Sequence, residues 1–258
     1  MLFAIDIGNT NIVIALVDED RIVNRWRLST DTKRTCDEYY IIILQLLNSI
    51  ELELSDISDV IISCVVPQHL FEIKRPCDRY IKVTPLIVGE ANVETNIKVC
   101  LDNLSEVGAD RIVNAVAAFS EHNKGTIIID FGTATTFDVV SSKGEYIGGV
   151  IAPGINLSIE ALHNAAAKLP EIAIKNPKKV IGTSTISAMQ SGVFFGYICL
   201  VEGIINRIKN EHNEDLEVIT TGGLARLFEK EIDLIDRLEP DLTIKGLNEI
   251  YKVNVKNG

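Results

Sequence analysis

The chain has 258 residues, of which 47% are hydrophobic and 24% charged, and its formal net charge is −11. This is the balance of a globular chain long enough for one large domain or two small ones, and it excludes disorder. The negative field repels nucleic-acid backbones and anionic membrane surfaces, so neither nucleic acid nor a membrane is an expected partner.

In chain order, residues 2–17 read LFAIDIGNTNIVIALV, two apolar runs joined at Asp6-Ile7-Gly8-Asn9-Thr10, the pattern of a strand hairpin. A third strand is predicted over 21–28, then an amphipathic helix over 37–50 with Tyr40, Ile43, Leu44 and Leu47 on one side. Buried strands follow over 60–65, stopped by Pro67, and over 81–88, interrupted by Pro85. A helix over 110–121 places Ile112, Ala115, Val116 and Phe119 on one face. A second unit then opens with TIIIDFGTATTFDVV over 126–140, again strand, turn, strand, followed by an arm over 146–151. Helices are predicted over 155–168 and 185–210, then a short strand over 218–221 that runs into Gly222-Gly223 and a helix from Leu224. No Pro/Gly/Ser-rich linker separates the halves, so two lobes are expected, 1–122 and 123–258, without a tether between them.

The repeated Asp-x-Gly-x-Thr turn carries the most chemistry. Gly8 and Gly132 let the backbone approach a phosphate with no Cβ in the way. Asn9, Thr10, Thr133 and Thr135 offer donors, and Asp6 and Asp130 each end a buried strand, where a carboxylate can hold a cation that neutralises phosphate charge. A single copy is also ordinary hairpin chemistry; two copies half a chain apart point to a nucleotide clasped from both sides. Neither loop contains Lys, and no Gly-x-x-x-x-Gly-Lys-Ser/Thr occurs, which excludes a P-loop enzyme.

Other segments have two readings each. Asp110, after Glu106-Val107-Gly108-Ala109 and before Arg111, suits a helix N-cap and equally a general base with a cationic neighbour for a polar substrate. The loop 148–155 either wraps a ligand or redirects the chain. Gly182-Thr183-Ser184-Thr185 caps a helix or meets a substrate oxygen with its N–H groups. Lys168 complements the end of the preceding helix. Residues 180–201 carry no charge and are long enough to span a bilayer, but Gly182, Thr183, Ser184, Thr185, Ser187 and Gln190 favour a buried helix.

The five cysteines, Cys36, Cys64, Cys77, Cys100 and Cys199, are scattered and form no Cys-x-x-Cys pair, as expected for reduced thiols in the cytoplasm. The four histidines have no ligand spacing, so zinc is not expected. No basic region precedes an apolar one at the start, so no secretory leader is expected there.

The duplicated unit, with VITTGGLA at 218–225, resembles the actin-like ATPase fold, an α/β fold of two similar ribonuclease-H-like lobes with mixed sheets flanked by helices. Taken together, DIGNTN, EVGADRIVNAVAA, DFGTATTFDVV, GGVIAPGI, AAKLP, STISAMQSGVFFGY and TGGLA resemble the type III pantothenate kinases along nearly the whole chain. The resemblance implies ATP-dependent phosphorylation of pantothenate, the first step towards coenzyme A. It implies that Asp6, Ile7, Gly8, Asn9, Thr10, Asn11, Ile12 and Val13, with Thr133, contact ATP, and that Gly222-Gly223 lies on the nucleoside side. Asp110 would be the catalytic base, and Leu101, Gly108, Ala109, Asp110, Arg111 and Thr185 would face the substrate. Mg²⁺ would sit on the phosphate side of Asp6 and a monovalent cation, K⁺ or NH₄⁺, at Asp130. The family works as a homodimer whose partner subunit closes the acceptor site. Its pattern usually carries Tyr where this chain has Leu101, and often Asn where it has Ser184. A missing Tyr hydrogen bond costs about 1 kcal/mol, so an enzyme with a raised KM or an altered substrate preference is expected. Two other readings share part of this pattern: another small-molecule kinase on the same fold, and a catalytically silent nucleotide-binding regulator.

Overall fold

A computed structural model of the chain describes residues 1–103, 106–165, 169–212 and 214–256. It divides into two compact units, Met1–His122 with Asp241–Gly258, and Asn123–Pro240.

In the first unit, β1 (Leu2–Ile7) is the central strand and is buried along almost its whole length. It pairs antiparallel with β2 (Asn11–Asp18) and parallel with β4 (Asp59–Cys64). β3 (Arg21–Ser29) lies outside β2 and alternates exposed and half-buried residues, as a strand with one solvated face must. A short β5 (Leu86–Ile87) completes the order β3-β2-β1-β4-β5. The odd-numbered side chains of β1, Phe3, Ile5 and Ile7, enter a core with Tyr39, Ile43 and Leu47 of α1 (Cys36–Asn48) and Ile73 of α2 (Pro67–Pro76). α1 starts at a capping box in which the Thr35 N–H donates to Glu38 Oε2 at 2.7 Å, which sets its first turn. Pro67 ends β4's run and also opens α2 in its first turn, where its missing N–H costs nothing. That helix was not foreseen from the sequence.

The opposite face of the sheet is covered by α3 (Ala109–His122) and α7 (Leu242–Lys256). The two helices pack closely because Gly246 lacks a side chain where the Val113 carbonyl sits. Tyr251 of α7 donates to Asp59 of β4, and its phenol is pushed up to about 12, by burial first and then by that carboxylate. The first unit takes in the C-terminal segment from Asp241 as well as the first 122 residues. Buried Leu242, Leu247 and Ile250 find their apolar cover there.

The expected strand over 81–88 is largely corrected. Residues Cys77–Ile81 form a wide helical turn, Lys82 closes it in the left-handed region at φ 66°, and the Val83 N–H reaches back to the Cys77 carbonyl at 3.2 Å. Pro85 cannot donate to a ladder, so pairing begins only at Leu86. A two-residue β6 (Lys98–Val99) follows.

The second unit repeats the plan. β7 (Thr126–Phe131) pairs antiparallel with β8 (Ala134–Val140), β8 with β9 (Glu145–Pro153), and β7 parallel with β10 (Glu217–Thr221), which carries a short β11 (Arg237–Leu238) on its far side. Each unit thus orders its strands third, second, first, fourth, fifth. α4 (Ile155–Ala165) and the long α5 (Thr185–Glu211) pack on this sheet, and α6 (Ala225–Phe228) is a single turn after Gly222-Gly223. Phe131, Phe194 and Phe228 stack at 5.4–5.5 Å in this core. α5 has the length and hydropathy of a bilayer span, but Phe194, Tyr197, Val201 and Ile205 are buried in this core. Lys168 and its two preceding alanines lie outside the described residues.

Candidate active site

Two loops, one per unit, stand at the ends of the central strands. In the first, the Gly8 N–H donates to the Asn11 carbonyl at 3.0 Å, which closes the turn between β1 and β2. Thr30, just past β3, fastens this loop twice: its Oγ1 donates to the Gly8 carbonyl at 2.7 Å and its N–H to the Thr10 carbonyl at 2.9 Å. Asn9 and Thr10 are left exposed at the tip. In the second loop the Gly132 N–H donates to the Ala134 carbonyl at 3.1 Å. Gly154 takes the place of Thr30 here: any side chain on it would collide with the Gly132 and Thr133 carbonyls. The 148–155 segment therefore redirects the chain and packs against the second loop.

Gly222 has φ +94° and packs directly against Asp130 Oδ1 and the Phe131 backbone. Only glycine combines that torsion with that approach. Asp130 and Thr133 thus lie in one local arrangement with Gly222 and Gly154. Thr135 does not belong with them as a loop donor. It is buried, and its hydroxyl is hydrogen-bonded to that of Tyr197 on α5.

In the first unit the Asp110 segment comes to the same end as Asp6. The Val65 N–H donates to the Ile7 carbonyl at 3.0 Å, and the site of a Gly108 Cβ lies 3.4 Å from Val65 Cγ1 and 2.5 Å from Asp110 Oδ1. The carboxylate therefore stands over the ends of β1 and β4. Asp110 is not the N-cap. The Gly108 carbonyl accepts the first helical bonds, from the Arg111 N–H at 3.1 Å and the Ile112 N–H at 3.3 Å. Asp110 sits two residues further in, and its Oδ1 accepts from the Arg111 N–H at 2.8 Å. It stands at the positive end of the helix, which stabilises a carboxylate. Arg111 is half-buried beside it, and Leu101 is half-buried in the segment between β6 and α3.

Thr185 is the first residue of α5. Its neighbour Ser184 is the cap, accepting from the Ser187 N–H at 3.2 Å, so the capping role falls to Ser184 and leaves Thr185 exposed. Thr185 borders a cavity of about 680 Å³ between α4 and α5, open because Ala188, Gly192 and Gly196 present no bulk along one face of α5.

Sequence reasoning missed the bracing role of Thr30 and the fully buried Ser63, which stands beside Asp6 in the β1–β4 register. A hydroxyl inside an otherwise apolar run, VIISCV, was the available signal.

A family model described as type III pantothenate kinase matches residues 2–207. The chain is 53% identical to a type III pantothenate kinase of Paramagnetospirillum magneticum and 52% identical to one of Phenylobacterium zucineum, each over 98% of both chains. Among solved structures, a conserved Baf family transcriptional activator from Campylobacter jejuni superposes with a TM-score of 0.62 at 17% identity, covering 98% of this chain and 99% of that one. A ROK hexokinase from Thermus thermophilus superposes with a TM-score of 0.54 at 10% identity, covering 100% and 99%. At such identities these two structures speak for the actin-like ATPase fold alone. The sequence matches, which extend over both loops and the Asp110 segment, make the chain a member of the type III pantothenate kinase family.

Proposed function

We propose that this protein transfers the γ-phosphoryl group of ATP to the primary hydroxyl of pantothenate, giving 4'-phosphopantothenate and ADP at the entry to coenzyme A synthesis, in the cytoplasm. The observation that carries the reading is Asp110 at the start of α3, over the strand end that bears Asp6. Phosphoryl transfer asks a protein mainly for alignment and charge neutralisation. Asp110 takes the proton of the attacking hydroxyl as its oxygen bonds to the γ-phosphorus, and the bond to the β–γ bridging oxygen breaks. Gly108, Ala109 and Arg111 position the acceptor, with Leu101 and Thr185. Residues 6–13 and Thr133 hold the phosphates.

Among the described residues no cluster of three or more His, Cys, Asp or Glu could hold a metal by itself. The carboxylate and hydroxyl oxygens at the β1 and β4 ends suit a hydrated hard cation that shares its ligands with the nucleotide, which fits Mg²⁺ at Asp6. Asp130, with no lysine in its loop, fits a monovalent cation, K⁺ or NH₄⁺. Such cations supply charge neutralisation when bound.

A homodimer belongs to this reading, and α5 is not what calls for it. Met189, Phe194 and Tyr197 of α5 are already covered within the chain. The apolar surface that needs cover is elsewhere. Of twelve exposed large hydrophobic residues among those described, eight fall between 147 and 186, including Ile151, Leu157, Val180, Ile181 and Ile186. Exposed apolar side chains of this kind suit an association surface, and two-fold pairing is its commonest solution. Ile186 follows Thr185 in α5, so a partner seated on it would also cover Thr185.

The test is direct: purified protein is assayed for ATP-dependent phosphorylation of pantothenate, with sugars and acetate as rival acceptors. Turnover of a sugar in preference would favour the other small-molecule kinases, and nucleotide binding with no turnover would favour a silent regulator.

A further inference from the structure

Ser63 is the fourth-strand neighbour of Asp6. The two residues are partners in the parallel β1–β4 register, so their side chains leave the sheet on the same face. That face is the one covered by α3 and α7, because Asp59, two and four residues before Ile61 and Ser63 on the same side of β4, bonds Tyr251 of α7. It is also the face over which Asp110 stands. Ser63 is 0% exposed, and its Oγ has no hydrogen-bond partner among the described residues.

A buried hydroxyl without a partner costs roughly 1–3 kcal/mol, which a chain avoids unless something else satisfies it. An alanine or valine would suit the apolar run Val60-Ile61-Ile62 better. The second unit repeats the arrangement: Thr221, also buried, is the β10 partner of Asp130 in the β7–β10 register. Each loop carboxylate therefore has a hydroxyl beside it on the neighbouring parallel strand. Adjacent strands lie about 4.8 Å apart, close enough for one water to bond both a serine hydroxyl and a carboxylate.

We propose that Ser63 is a positioning residue, whose hydroxyl holds the carboxylate of Asp6 through a water in the orientation that receives a hydrated divalent cation with the nucleotide phosphates. This inference rests on the reading of Asp6 as the phosphate-side cation residue. Ser63 itself touches neither nucleotide nor acceptor. It orients Asp6 and contributes to the hydration shell, so its effect appears in the Mg²⁺ requirement.

The experiment compares wild type, Ser63→Ala and Asp6→Asn. Binding of ADP is measured by calorimetry at a series of Mg²⁺ concentrations, and thermal melting is measured in EDTA without nucleotide. In Ser63→Ala the Mg²⁺ concentration for half-maximal nucleotide binding should rise about 2- to 10-fold, the equivalent of one net hydrogen bond, with the melting temperature in EDTA unchanged or higher. A Mg²⁺ curve identical to wild type, measured well below either melting temperature, overturns the proposal whatever happens to stability. If Asp6→Asn moves the curve and Ser63→Ala does not, the role of Ser63 alone falls. If Asp6→Asn also leaves it unmoved, the reading of Asp6 falls as well.

Discussion

Gly222 packs against the carboxylate of Asp130: a side chain at Gly222 would occupy the space of Asp130 Oδ1 and of the Phe131 backbone. The glycine stands at φ +94°, and so the turn after β10 and the Asp130 carboxylate form one unit of structure. Gly222→Ala should therefore cost stability twice over, through the torsion and through the collision. A loss of more than about 1 kcal/mol in urea unfolding is expected, together with weaker dependence on K⁺. A variant as stable as wild type would show that the turn can relax away from Asp130.

Asp110→Asn retains the oxygen that accepts from the Arg111 N–H at 2.8 Å, so α3 keeps its first turn. It removes the proposed base. The expected result is a fall of about 10²- to 10⁴-fold in kcat with an unchanged melting curve, the range for loss of a general base. Near-normal turnover would refute the assignment.

Asp130 should make the enzyme dependent on a monovalent cation. With no lysine in either loop, part of the phosphate charge would be left to bound ions in the proposed reading. Activity in a sodium or Tris background should be low and should be restored by K⁺ or NH₄⁺, and Asp130→Asn should abolish the difference. Equal rates in all four salts would remove this role from Asp130.

Light scattering should report twice the 28.4 kDa mass of one chain. Ile186 is 50% exposed, so Ile186→Asp changes little inside a single chain but places a charge in the proposed contact. Its expected effect is dissociation with a raised KM for pantothenate. Wild-type protein of single-chain mass with full activity would disprove the shared site.

Stability should fall at alkaline pH through Cys77. Burial, and then Asp78, push its thiol from the ordinary 9.0 up to about 12. Below pH 9 the thiol is protonated in both states and its contribution is fully present. As pH rises from about 9 towards 12 the unfolded chain gives up the proton first, so unfolding is increasingly favoured. Tyr251, also raised to about 12, adds to the trend above pH 10. Urea unfolding at about pH 8 and about pH 10 should show this loss, and Cys77→Ala should reduce the difference between the two. The same slope in both proteins would assign the alkaline loss to other groups.

Much of the fold was legible because its information is local. The Asp6 and Asp130 turns, the alternating β3 and the apolar β1 and β7 follow from period and turn chemistry, which neighbouring residues determine by themselves. What stayed hidden depended on partners far away in sequence. α2 was missed because Pro67 reads equally as a stop and as a first helical residue, and only the core at Ile73 decides between them. Residues 81–88 have strand propensity, but buried Cys77 and left-handed Lys82 hold their first part in a helical turn. Thr135 looked like a loop donor until Tyr197, 62 residues away, took its hydroxyl.

The candidate site divides along the same line. The sequence alone pointed to the residue types proposed to carry the chemistry: two strand-end carboxylates, glycines in the turns that follow them, and an Asp-Arg pair before a helix. The tertiary structure decided where they stand. It placed Asp110 over the β1 and β4 ends, moved its capping duty to Gly108, and set Gly222 against Asp130. It also brought residues 241–258 back onto the first sheet. The reason is physical: backbone torsion and side-chain period are properties of adjacent residues, whereas burial, register and close approach exist only once distant segments have packed.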